Sequence, residues 1–154
     1  MNPKAEALWH AYLQTLPDAA EATQRFYEVF HIGNTPNSAD AGADLILRGI
    51  KTTTSSLLWE YDAKNKPRPY EGALNIVEDG RGAPVCIVET VMVEIRPFSE
   101  IDAQFAYDYG EWDRTLATWY EVCWTYYSAE ARALGREPSP DMPLVCERFR
   151  VVYP

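Results

Sequence analysis

The sequence predicts one α+β domain over residues 1–154, with a small antiparallel sheet or barrel. Three observations lead there. Apolar residues recur at helical spacing near the N-terminus and again over 113–134. Two β-branched runs meet across the turn "DGRG" at 79–82, and residues 144–153 read as a closing strand. No linker, repeat or low-complexity tract divides the chain.

Asn2 before Pro3 marks a helix start: a capping side chain, then proline at the first helical position. Leu8, Trp9, Tyr12, Leu13 and Leu16 recur at helical spacing until Pro17. A less regular stretch follows, in which "RFYEVFHIG" (25–33) has the composition of a strand or buried turn. "NTPNS" (34–38) is a loop, and Ser38 is placed to cap a helix that stops at Gly49. "GIKTTTSS" (49–56) leads from that stop into a segment that reads as a strand, and "AKNKPRP" (63–69) is a loop. "GALNIVE" (72–78) and "APVCIVETVMVEI" (83–95) form the hairpin. Ser99 with Asp102 makes a capping box for a short helix ending near Gly110. Asp113 is placed to cap a longer helix with Leu116, Trp119, Tyr120, Cys123, Tyr127, Ala131 and Leu134 on one side, stopping at Gly135.

Composition narrows the function. Hydrophobic residues make up 47% of the chain, enough for a packed core. No apolar run approaches the ~18 residues of a membrane span. The N-terminus "MNPKAEALWH" lacks a signal peptide's apolar core, so the expectation is a cytoplasmic protein without a membrane partner. Cys86, Cys123 and Cys146 show no C-x-x-C spacing, and His10 and His31 are not placed near them, so neither a metal nor another cofactor is expected. The net charge of −9 disfavours a long polyphosphate partner, whose binding needs clustered cations. Charge is nonetheless segregated. Arg48, Lys51, Lys64, Lys66 and Arg68 give 48–68 a local net of +3, whereas 94–121 carries −5.

Two glutamates interrupt apolar faces. By alternation Glu89 shares a face with Val85, Ile87, Val91, Val93 and Ile95, and Glu147 shares one with Val145, Phe149, Val151 and Tyr153. Such carboxylates must be paired, protonated, or open to an interior site.

"GIKTTT" (49–54) resembles the G-x-K signature of ASCH domains, small RNA-associated modules related to the PUA fold. "IGN" (32–34), "GIKTTTSSLLWEY" (49–61), "PVCIVETVMVEIRPFSEIDAQFAYDYGEWD" (84–113) and "DMPLVCERFRVVYP" (141–154) follow the family's order and spacing. The resemblance runs from about residue 26 to the end, with residues 1–25 as the helical extension of longer bacterial members. It implies a PUA-like mixed or antiparallel barrel flanked by helices, and a nucleoside or RNA as partner. Some small members are similar to amidohydrolases of N4-acetylcytidine that use a lysine, a threonine three residues later and a glutamate. On this chain the resemblance places those roles on Lys51, Thr54 and Glu111. Where relatives resemble "AYAEGEGD" this chain reads "AYDYGEWD", so Tyr109 stands at the first glutamate and Glu111 is the nearest surviving acid. Cys123 stands where relatives often have histidine. In the stricter G-x-K-x-x-E-x-R form, Thr54 replaces Glu and Ser56 replaces Arg.

The chemistry sets conditions on the geometry. A lysine acts as base only if burial lowers its pKa, and a threonine needs a base to become a nucleophile. Lys51 and Thr54 are expected to converge on one pocket if 49–54 forms a loop, and to point apart if it is a regular strand. A carboxylate beside Lys51 favours the ammonium, which casts Glu111 as a proton shuttle or a partner for the substrate amide. Trp59, Tyr61, Tyr109 and Trp112 offer stacking faces. Trp59, Tyr109, Glu89, Glu147 and Arg48 complete the expected substrate contacts. Two further readings stand beside the amidohydrolase. One is a ribonuclease, with Lys51 on phosphate and polar contacts from Thr54, Tyr109 or Ser128; Asp108 and Glu111 become metal candidates only if a chelator abolishes cleavage. The other is a non-catalytic RNA-binding module using 48–68.

Overall fold

The computed structural model describes residues 1–154. Six helices, α1 (Pro3–Leu13), α2 (Ala19–Gln24), α3 (Pro36–Leu47), α4 (Leu58–Lys64), α5 (Ala103–Tyr109) and α6 (Leu116–Ala133), surround five strands. These are β1 (Phe26–Phe30), β2 (Thr53–Leu57), β3 (Leu74–Glu78), β4 (Pro84–Pro97) and β5 (Pro143–Tyr153). The sheet order is β1-β3-β4-β5-β2, with β1 and β3 parallel and every other pair antiparallel. β1 and β2 lie at opposite edges and do not pair, so the sheet is open and the expected barrel does not close.

Alternation along β3 divides the core. Leu74 and Ile76 pack with Trp9 and Tyr12 of α1 on one side of the sheet. Val77 packs with Ile46 of α3, Val88 and Phe149 on the other. A third cluster joins the α6 face Trp119–Cys123–Tyr127–Ala131, at the helical spacing read from the sequence, to Phe98, Phe105 and Leu144. No helix is long and apolar enough to cross a membrane.

Several local expectations shift by a residue or two. α1 starts as expected, with Asn2 accepting from the Ala5 amide, but ends at Leu13 rather than at Pro17. Thr35 rather than Ser38 caps α3; Ser38 sits at its third position and closes the capping box reciprocally. Asp102 alone caps α5, because Ser99 lies in a separate 3-10 turn. Thr115 caps α6, while Asp113 braces that cap by accepting from the hydroxyls of Thr115 and Thr118. α2 falls in the stretch read as irregular; its six residues are too few for periodicity to register.

One expected strand is a helix. "LWEYDAK" continues directly from β2 as α4, with the i,i+4 pair Glu60–Lys64 on its exposed side, Tyr61 buried, and Asn65 in a left-handed stop. In β4 the register slips near Ile87/Val88 and Thr90/Met92. These bulges break strict alternation, so Val91 and Ile95 are exposed instead of sharing an apolar face with Ile87.

Candidate functional site

Residues 48–52 leave α3 as a loop. The amides of Ile50 and Lys51 both donate to the Leu45 carbonyl, which carries the chain away from the helix before β2 begins at Thr53. Gly110 ends α5 against that loop. A β-carbon there would lie 2.7 Å from the Ile50 carbonyl oxygen and 2.9 Å from the Lys51 α-carbon, and its φ is +74°. A bare glycine therefore lets the 50–51 backbone meet the 109–112 turn.

That contact seats Lys51. Its side chain is 0% exposed, and Nζ lies 2.8 Å from Glu111 Oε2. The same nitrogen donates to the Tyr109 carbonyl at 3.3 Å and rests 3.3 Å from the centre of the Tyr109 ring. Burial pulls the ammonium pKa below its ordinary value, and the Glu111 carboxylate opposes that pull. Tyr109 also stacks on Trp112, with centroids 5.6 Å apart. Burial holds its phenol well above 10, while the Ser55 and Thr54 hydroxyls lower it.

A cavity of about 330 Å³ opens between the sheet, α4, α6 and the 109–112 turn. This is within the size range of small-molecule sites. Thr54, Glu111 and Tyr109 line it, whereas Lys51 lies behind them and reaches it through Glu111. Polar side chains cross its floor from strand to strand. Glu28 of β1 is in register with Asn75 of β3, and Glu147 of β5 with Thr54 of β2. Between them Asn75 Nδ2 donates to Thr90 Oγ1, and Thr90 Oγ1 donates to Glu147 Oε1, each at 3.4 Å. Burial lifts the Glu147 carboxyl to about 7, with Glu28 adding to the rise. Lys66 closes the far end, 2.7 Å from Glu28. Cys123 also faces the cavity, but burial pushes its thiol up to about 12, so it is not a thiolate at neutral pH.

The structure thus brings Thr54, Tyr109, Glu111 and Glu147 to one cavity and separates the remaining candidates from them; Lys51 does not open onto that cavity with Thr54, as expected, but is paired behind Glu111. Glu89 is ion-paired to Arg25 at 2.9 Å and to Arg150 at 3.0 Å, away from the cavity. Trp59 packs on the α6 core and under the Arg136 guanidinium, 4.5 Å from its ring centre. Arg48 is exposed and pairs with Asp44 one turn earlier. Asp108 pairs with Arg148 at 2.8 Å, and that hydrogen bond helps hold its carboxyl below the usual range against the opposing effect of burial. Ser128 is buried in α6 and does not line the cavity. Asn75, Thr90, Ser55 and Tyr127 are wall residues that sequence reasoning missed. Asn75 within "LNIVE" and Thr90 within "VETV" were the available signals, polar residues inside apolar strands.

Fold and cavity define a small α+β domain with a polar-floored cavity beside its sheet. The chain belongs to the ASCH domain family, whose family model matches residues 28–153. Among solved structures it is similar to an ASCH domain from Lactobacillus crispatus JV V101, at 32% identity and a TM-score of 0.92, covering 100% of this chain and 97% of the other. It is also similar to a protein from Enterococcus faecalis V583, at 27% identity and a TM-score of 0.84, covering 99% and 90% respectively. No curated protein matches the chain.

Proposed function

We propose that this protein hydrolyses the N-acyl amide of a modified cytosine nucleoside, with N4-acetylcytidine as the concrete substrate. The observation that carries the reading is the placement of the Thr54 hydroxyl and the Glu111 carboxylate on one cavity, with Glu111 backed by a wholly buried lysine. Thr54 Oγ1 attacks the acyl carbonyl carbon, and its proton passes to Glu111. The carbon–nitrogen bond then breaks, and the leaving exocyclic nitrogen takes that proton, releasing the amino form of the base. Water hydrolyses the threonyl ester to free carboxylic acid and restores Thr54.

Lys51 is a positioning residue in this scheme. Its ammonium fixes the Glu111 carboxylate, and its lowered pKa lets the pair share a proton at little cost.

The ASCH fold is generally an RNA-binding one, so a nucleoside within RNA is the other form of the same substrate. The charges of 48–68 favour the smaller ligand. Arg48, Lys51, Lys64, Lys66 and Arg68 each face a carboxylate partner within 4 Å, which lowers what that segment offers a phosphate chain. The test is incubation with N4-acetylcytidine, followed by chromatography. Cytidine and acetate released in equal amounts support the reading; no cytidine, with folded protein in excess, removes it. Binding of unmodified RNA that weakens steeply with salt, without turnover, would favour the non-catalytic module.

A further inference from the structure

Asn75 is 5% exposed and lines the cavity, yet its Oδ1 has no hydrogen-bond partner. Trp119 and Ser128 also carry a buried polar atom without a partner, but neither lines the cavity. The Asn75 amide is tethered on its other side, through Nδ2 to Thr90 and on to Glu147. Its oxygen is an acceptor left without a donor and covered by neighbouring atoms, so a ligand hydroxyl meets it only where the cavity wall gives way. Beside it, in cross-strand register, stands Glu28, a second acceptor on the same cavity. Lys66 donates to Glu28 Oε2, which holds that carboxylate in place.

The position of this pair matters. Thr54 on β2 and Asn75 on β3 are separated by β5 and β4, three strand spacings or roughly 14 Å. A free pyrimidine with its acyl amide at Thr54 would leave the Asn75 end unfilled. A base carrying its sugar reaches across. Two neighbouring acceptors match the two donors of a vicinal diol, whereas a phosphate, which brings acceptors only, would leave them unpaired.

We propose that Asn75 and Glu28 form a ribose-diol subsite, so that the pocket selects a ribonucleoside over a free base or a deoxynucleoside. The inference rests on the nucleoside reading above, but concerns binding and does not require turnover.

The test is calorimetric titration of the full chain with cytidine, 2′,3′-dideoxycytidine and cytosine. Wild-type protein is expected to bind cytidine about tenfold more tightly than the dideoxy compound, the worth of one or two hydrogen bonds to otherwise unpaired groups. In Asn75→Leu that preference should shrink to about twofold, through loss of cytidine affinity, while dideoxycytidine binding holds or improves. Equal wild-type affinity for the first two ligands, absence of binding by all three, or an unchanged preference in Asn75→Leu each overturns the subsite. If Asn75→Leu does not fold, the wild-type comparison decides alone. Failure to hydrolyse N4-acetylcytidine with the cytidine preference intact would sink the catalytic reading and leave this one standing.

Discussion

Lys51 Nζ lies 2.8 Å from the Glu111 carboxylate, with the lysine side chain entirely removed from water and the glutamate still touching the cavity. The two partners are therefore unequal. Removing the carboxylate strands a buried ammonium, whereas removing the ammonium leaves a carboxylate that cavity water can reach. Glu111→Gln is expected to cost about 3 kcal/mol of stability, and Lys51→Met clearly less. Both should lose turnover. Urea denaturation of the two variants checks the order; equal losses would contradict the asymmetry.

Thr54→Ala removes a hydroxyl at the cavity surface and little packing. Turnover should fall about 10³-fold or more, with the melting temperature nearly unchanged, and Thr54→Ser should recover part of the rate. Steady-state kinetics with a parallel melt separates this from a folding defect. A Thr54→Ala variant of near wild-type rate would leave water as the direct nucleophile.

Glu147 couples the cavity to pH. Its folded pKa of about 7 stands above the ordinary 4.5, so the folded state holds more protons than the unfolded chain between those values. Its stabilising contribution is complete below about 4.5 and is lost as pH rises through about 7. Glu147→Gln should match wild type near pH 4 and exceed it by about 2 kcal/mol at pH 8. Glu130 is also lifted to about 7, by burial and then by Glu60 beside it, so only the difference between variant and wild type isolates Glu147. Denaturation across this pH range, with a difference that stays flat, would show that Glu147 is hydrated.

Gly110→Ala tests the backbone contact that seats Lys51. The added carbon meets the Ile50 carbonyl oxygen at 2.7 Å, at a φ that disfavours a side chain. The expected cost is about 2 kcal/mol, together with reduced turnover, because the 50–51 loop must withdraw from Glu111. Thermal unfolding and rate measurements on the same sample check both effects.

Much of this architecture was legible in the residues. The Asn2–Pro3 start, the hairpin around 79–82 and the buried face of α6 follow from capping, turn chemistry and periodicity. Lys51, Thr54 and Glu111 were named by the resemblance to the family's G-x-K stretch and not by any local pattern. The pocket itself was less visible. Alternation placed Glu89 and Glu147 alike, but register slips in β4 and the arginines of α2's end and β5 gave Glu89 partners that no local pattern announces. The approach of Asn75 to Thr90 and of Glu28 to Asn75 depends on strand order, a long-range property. α4 escaped because apolar and aromatic residues after a strand suit either state until Tyr61 finds its place in the core.

A crystal structure of the Thr54→Ala variant soaked with N4-acetylcytidine would place the ligand atom by atom. The expected result is continuous density across the polar floor, the acyl carbonyl beside residue 54 and Glu111, and the ribose hydroxyls at Asn75 and Glu28. An empty cavity at saturating ligand, or a nucleoside bound only on the outer surface, would contradict the account.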